Sequence, residues 1–326
     1  MKKIGICTLY FANNFGAILQ AFALQEVLKE MGHEVEFIRV RDIQVNMKEQ
    51  NVDLFKMSRE NINLRNEVYD KLKDKYDAII IGSDEMWNIN NNTFEHFEEY
   101  FGKNLNCDKI ISYAPSANGV TAEQLKAFYG DDVKFEEFTS ISARDKATQK
   151  LVEDISGREA KLVLDPTLLV SDFKKYASNP LPDLKDYIIL YGYDFSEEEK
   201  SKILKFAEEN NKKVYSLAYK LDWAETIYVD IFGFLGVILN ADYAVTNTFH
   251  GTLFSVILEK EFVVFSNNNS KVVDIINKFQ MGERDGINVK DLNEIFSKKV
   301  DYEKINRLKL EHRKDSLEYL ENAINQ

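Results

Sequence analysis

Short continuous apolar runs alternate with stretches of helical periodicity along most of the chain. Lys3–Leu9 reads as a buried strand and Tyr10–Gly16 as a loop. Ala17–Met31 places Ile18, Phe22, Val27, Leu28 and Met31 at helical spacing, closed by Gly32. Val35–Val40 alternates and is rich in β-branched residues, so it is the next strand. These pieces predict a β-loop-α-β unit with parallel strands. Arg41–Lys75 is polar, rich in Asn and Lys, and only weakly patterned as helix. Strands follow at Ala78–Ile81, Lys109–Tyr113, Ser140–Ala143 and Lys161–Leu164, with helices at Thr121–Phe128 and Asp145–Ile155.

Asp165–Asp186 holds three of the four prolines and marks the expected boundary. A second series then begins. Strands are predicted at Tyr187–Tyr191, Lys213–Leu217, Tyr243–Thr246 and Phe262–Phe265. Helices are predicted at Glu197–Asn210, Ile231–Asn240, Thr252–Glu259 and Val272–Phe279, and the last stretch is an amphipathic helix. The pattern thus gives two α/β domains with parallel sheets, spanning 1–170 and 185–300. A helix over 301–326 is expected to pack back on the first domain.

Length agrees, because 326 residues exceed what one compact core usually covers. Acids outnumber bases 54 to 42, a net charge of −12, which argues against broad nucleic-acid binding. A few converging cations can still oppose that field for a small anion. Two cysteines, Cys7 and Cys107, make no disulfide framework and fit a reducing cytoplasm. The N-terminus superficially resembles a secretion signal, with Lys2 and Lys3 before an apolar run. Asn13 and Asn14 interrupt that run, however, and the helix continues through the apparent cleavage site. No stretch is apolar for long enough to predict a spanning helix. Contact with a membrane would be peripheral, through Arg307, Lys309, Arg313 and Lys314, unless these simply face solvent.

Ligands of open parallel sheets bind beyond the carboxyl ends of the strands, so polar residues there are the candidates. Asn247, Thr248, His250, Gly251 and Thr252 lie between a strand and a helix. Free N–H groups and the helix dipole would favour an anion, and His250 can move a proton near neutral pH. The same run also serves as an ordinary turn with a capping His. Arg144 follows one strand and precedes a helix. It can grip a carboxylate or phosphate with two hydrogen bonds, or pair with Asp145, Glu153 or another surface acid. Ser83, Asp84, Trp87 and Asn88 follow the most apolar strand of the first half. Asp84 can orient or deprotonate a hydroxyl and Trp87 can stack on a sugar, or they cap a helix and fill a core. Asn14 and Gly16 form a loose nucleotide-type turn, and Ser270 with Lys271 opens a helix after a strand. No metal-binding motif is present, and no nucleotide fingerprint.

Ile81-Gly82-Ser83-Asp84-Glu85-Met86-Trp87-Asn88 resembles the GSDQxWN element of the polysaccharide pyruvyl transferase family. Ser112-Tyr113-Ala114, Ser142-Ala143-Arg144-Asp145, Val163 to Leu169 and Thr248-Phe249-His250-Gly251-Thr252 match in order, as does Asn14 to Leu24. The resemblance implies a fold similar to glycosyltransferase-B enzymes, two Rossmann-like domains facing across a cleft. It implies an acceptor side in the first domain and a donor side in the second. The implied reaction transfers the pyruvyl group of phosphoenolpyruvate to two hydroxyls of a sugar in a surface polysaccharide or cell-wall precursor. The product is a pyruvate ketal, phosphate leaves, and no cofactor is needed. Residues matching Arg144 and His250 serve the phosphoenolpyruvate end in that family. Two departures stand out: Asn247 where the family often has Asp, and Val229-Asp230-Ile231-Phe232 in place of Gly-Pro before a helix. The expected enzyme is cytoplasmic, at the inner membrane face if its acceptor is lipid-linked. Its rivals are a nucleotide-sugar-dependent glycosyltransferase of the same fold and a catalytically silent saccharide-binding protein.

Overall fold

The computed structural model describes residues 1–39, 52–62, 67–68, 75–267 and 269–326. The chain divides into two compact units, Met1–Val170 with Leu310–Gln326, and Ser171–Lys309.

The first unit is built on β1 (Lys3–Cys7), α1 (Phe15–Glu30), β2 (Glu34–Arg39), α2 (Val52–Asn61), β3 (Glu67–Val68), β4 (Ala78–Ile81) and β5 (Ile110–Ser112). It continues through α3 (Ala122–Tyr129), β6 (Ser142–Ala143), α4 (Lys146–Ser156) and β7 (Lys161–Leu162). Five parallel strands run in the order β3-β2-β1-β4-β5. The pair β6-β7 extends them through a parallel bridge between Ile111 and Ser140. β4 is buried on both faces, which is why its run of Ala and Ile carries no alternation. The helix expected over Arg41–Lys75 is present as α2, followed by β3; residues 41–51, 63–66 and 69–74 of that expectation lie outside the described residues.

The second unit contains β8 (Tyr187–Tyr191), α5 (Glu197–Glu209), β9 (Lys213–Leu217), β10 (Glu225–Ile227), α6 (Ile231–Asn240) and β11 (Tyr243–Thr246). α7 (Phe249–Ile257), β12 (Glu261–Val264), α8 (Ser270–Lys278) and α9 (Asn293–Phe296) complete it. Its parallel order, β10-β9-β8-β11-β12, repeats the topology of the first sheet. Ile188, Leu190, Val245 and Val263 pack with Ile203 and Phe206 of α5 to form the core of one face. In both sheets the strand order reverses beside the first strand, between β1 and β4 and between β8 and β11. Such switch points open a crevice beyond the strand ends, where the candidate residues lie.

α10 (Tyr302–Asn325) starts in the second unit and ends in the first. Its last turns are fastened there: Lys2 and Lys109 both donate to the Ile324 carbonyl, and the Tyr319 hydroxyl donates to Ser112. Among the described residues no helix is long and apolar enough to cross a membrane. Arg307, Lys309, Arg313 and Lys314 do not share one face of α10, given its turn of about 3.6 residues. Arg313 is instead bonded to the Leu169 carbonyl.

Candidate functional site

In the first unit, the switch point is held by a closed set of hydrogen bonds. The Ser83 hydroxyl donates to Gln20 Oε1, Gln20 Nε2 donates to Thr8, and the Thr8 hydroxyl donates to the Ser83 carbonyl. Ser83 is fully buried, so it braces the turn and is not the substrate contact expected of it. Gly82 has φ +115°, and a Cβ there would stand 2.3 Å from the Tyr113 carbonyl oxygen, so only glycine fits between β4 and β5. The turn lifts Asp84 to the strand ends, where its carbonyl accepts from Ser116 N–H at 2.7 Å.

Arg144 arrives from the neighbouring strand end, its N–H donating to the Pro115 carbonyl. Its side chain is 3% exposed, and Nη1 donates to Asp165 Oδ2 at 3.0 Å. Nη2 lies 3.6 Å from Asp84 Oδ1, an ion-pair separation beyond hydrogen-bonding distance. The partners expected for Arg144 are thus replaced. Asp145 caps α4 through Thr148, and Glu153 is exposed on that helix. The sequence pattern does not mark Asp165 as the partner, because it lies 21 positions away within the proline-containing boundary stretch. The visible signal was Asp165-Pro166-Thr167, a capping signature: Asp165 Oδ1 accepts from the N–H and hydroxyl of Thr167.

Asp165 is itself held. The Leu164 N–H donates to Ser316 of α10, the Tyr113 hydroxyl donates to the Leu164 carbonyl, and Arg313 binds Leu169. Burial works against the Arg144 charge, but the carboxylates of Asp84, Asp165, Asp145 and Glu85 outweigh it and raise the guanidinium above its ordinary value. Arg144 is therefore a fixed cation with one edge committed to Asp165 and the other turned toward Asp84. Asp84 is the accessible member, with 14% of its side chain exposed.

Trp87 does not face a sugar. It is fully buried against Phe101, Phe135 and Phe138, with ring centroids 6.1, 4.8 and 6.0 Å away, and its indole N–H donates to the Tyr100 carbonyl at 2.8 Å. Trp87→Phe should destabilise the protein by about 1–3 kcal/mol, the usual range for stranding a buried acceptor, and a denaturant titration measures it. Asn88 is likewise turned inward, donating to Glu85 and accepting from Asn90 N–H. Asn14 is the cap of α1, accepting from Ala17 N–H, and Gly16 is buried in that helix's first turn instead of in a loop.

In the second unit, α7 begins at Phe249, three residues earlier than the pattern predicts, so His250, Gly251 and Thr252 are helical. Thr248 is its cap, accepting from Gly251 N–H at 3.0 Å, and the Thr252 hydroxyl donates back to the Thr248 carbonyl. Gly251 packs against the Thr246 hydroxyl, which is the close approach that excludes a side chain there. His250 is 9% exposed, and its ring stacks on Phe254. Asn247 bonds the loop after β8, accepting from Tyr193 N–H and donating to the Tyr193 carbonyl. Ser270 is exposed as the first residue of α8, while the Lys271 side chain is buried at that helix's start. Asn247, Thr248 and His250 are thus together at the β8–β11 switch point, as Asp84 and Arg144 are beside β4 and β5.

Against known proteins, a family model described as "Polysaccharide pyruvyl transferase" matches residues 14–269. No curated protein matches the chain in sequence. Among solved structures, a UDP-N-acetylglucosamine 2-epimerase is similar at 10% identity and TM-score 0.55, covering 98% of this chain and 95% of that one. Anabaena Alr3699/HepE, solved with UDP and glucose, is similar at 8% identity and TM-score 0.53, covering 98% and 95%. S. aureus MnaA, solved with UDP, is similar at 11% identity and TM-score 0.51, covering 91% and 87%. These likenesses are of fold: two Rossmann-like α/β units of the type found in glycosyltransferase-B enzymes and sugar-nucleotide epimerases.

Proposed function

Since the chain belongs to the polysaccharide pyruvyl transferase family, we propose that it transfers the pyruvyl group of phosphoenolpyruvate to two hydroxyls of one sugar. The acceptor is a surface-polysaccharide or cell-wall precursor. The observation that carries this reading is the Asp84–Arg144–Asp165 cluster at the strand ends of the first unit. Phosphoenolpyruvate carries a carboxylate and a phosphate, and its methylene carbon must gain a proton before C2 accepts a nucleophile. His250 supplies that proton. Arg144, held by Asp165, serves the donor's carboxylate; an anion taking the Nη2 edge displaces Asp84 from it. Asp84 is then left to accept the proton of the first sugar hydroxyl as its oxygen bonds to C2. The second hydroxyl attacks the same carbon, the bond from C2 to the phosphate oxygen breaks, and phosphate leaves with the second hydroxyl proton. No cofactor enters the balance. The reaction is placed in the cytoplasm, with peripheral membrane contact when the acceptor is lipid-linked.

A nucleotide-sugar-dependent glycosyltransferase is the second reading, favoured by the UDP in the Anabaena and S. aureus neighbours. Calorimetric titration separates the two. Phosphoenolpyruvate should bind, and Arg144→Lys should weaken it about tenfold or more, since one charged hydrogen bond contributes roughly 1.5–3 kcal/mol. Binding of UDP with no response to phosphoenolpyruvate would replace the first reading with the second.

A further inference from the structure

A ladder of aromatic rings climbs from the second unit's core to its surface beside the β8–β11 switch point. Phe234 of α6 meets Tyr191 at the end of β8 with centroids 4.9 Å apart, Tyr191 meets Tyr219 at 5.3 Å, and Tyr219 meets Tyr193 at 5.4 Å. The first two are buried, Tyr219 is half-buried, and Tyr193 is 53% exposed. Interior packing explains the lower rungs but not why the top one stands in solvent on a fixed stretch of backbone. Asn247 fixes that backbone. Its side-chain amide pairs with the main chain of Tyr193, accepting from the N–H at 3.3 Å and donating to the carbonyl. The approach is so close that a Cβ on Gly192 would lie 2.2 Å from Asn247 Oδ1. The loop carrying Tyr219 is fixed as well, through Ala218 N–H to the Ile227 carbonyl and the Ser216 hydroxyl to the Tyr219 carbonyl.

We infer that Tyr193, edged by Tyr219 and locked by Asn247, is a stacking subsite for a pyranose ring of the saccharide substrate. The inference rests on the saccharide part of the proposed function but not on the donor. A pyranose offers one C–H face to an aromatic ring and hydroxyls at its rim. Exposed Asp194, Lys220 and Asp222 flank the two tyrosines in sequence and can meet such hydroxyls. A lipid or protein surface would call for a contiguous apolar patch, and these charges interrupt one. Phosphoenolpyruvate has no apolar face to stack. Asn247 also gains a reason at the position where Asp was expected: a carboxylate accepts from the Tyr193 N–H but cannot donate to its carbonyl. Asn247 is thus a positioning residue, acting through Tyr193.

Saturation-transfer NMR on the full chain without phosphoenolpyruvate tests this, using methyl glycosides of glucose, galactose and N-acetylmannosamine, and lactose. At least one should receive saturation at the C–H protons of one ring face. Tyr193→Ala should weaken that binding roughly tenfold, on the scale of one aromatic contact, with the unfolding midpoint unchanged. Tyr193→Phe should retain it, and Asn247→Asp should lose most of it with the ring still present. The subsite is overturned if no probe is saturated, if Tyr193→Ala binds like the parent, or if uridine monophosphate alone is saturated through Tyr193. Glycoside binding through Tyr193 in a protein that never consumes phosphoenolpyruvate would sink the donor assignment and leave this subsite standing.

Discussion

A His250→Gln variant should turn over about 10²–10⁴-fold more slowly than the parent, with the Michaelis constant for phosphoenolpyruvate little changed. Glutamine preserves the approximate size of the ring and one hydrogen bond, so the first turn of α7 and its Thr248 cap remain. It cannot carry a proton near neutral pH. The loss expected is therefore that of general acid catalysis, not of binding. Steady-state phosphate release at saturating acceptor gives both constants. A variant as fast as the parent would leave His250 as a helix-start residue resting on Phe254.

Asp165→Ala should lower stability by about 3–5 kcal/mol, the typical result of removing one partner of a buried ion pair. The Arg144 side chain is 3% exposed and that of Asp165 is 0% exposed, so water cannot replace the lost carboxylate. Asp84, at 3.6 Å from Nη2, compensates only in part. The same substitution removes the cap of the turn at Pro166–Leu168, taking away the acceptor of the Thr167 N–H and hydroxyl. Adding Arg144→Met removes the stranded charge, and the double variant should recover much of the loss while remaining inactive. Denaturant titrations of the two single variants and the double variant measure the coupling. If Asp165→Ala matches the parent in stability, the pair does not hold Arg144, and the orientation assigned to that guanidinium fails with it.

Much of the architecture could be read from the pattern, for a physical reason. β4, β8 and β11 lie inside parallel sheets, and such strands appear as unbroken apolar runs. β3 and β10 did not appear, because edge strands such as Glu225-Thr226-Ile227 are short and half polar. Strand order leaves no mark on local periodicity. The helices after Asn14 and Thr248 start earlier than the pattern predicts, because the capping side chains make the first turn resemble loop. At the site, Asp84 and Arg144 stood out because charged residues directly after buried strands serve no core. Asp165 did not, because its value lies in a partner distant along the chain. Trp87 misled for the opposite reason: it sits among polar neighbours in sequence, and the rings that bury it arrive from residues 101, 135 and 138.

The most direct test is to incubate the protein with phosphoenolpyruvate and a panel of galactosides, mannosaminides and glucosides, following phosphate release and the mass of each sugar. The account predicts that at least one sugar gains the mass of pyruvate less one water, with one phosphate released for each sugar changed. If every sugar is unchanged and phosphoenolpyruvate is intact, while a UDP-sugar is consumed and extends one of the acceptors, the chain is a glycosyltransferase and the ketal chemistry assigned to His250, Arg144 and Asp84 is wrong.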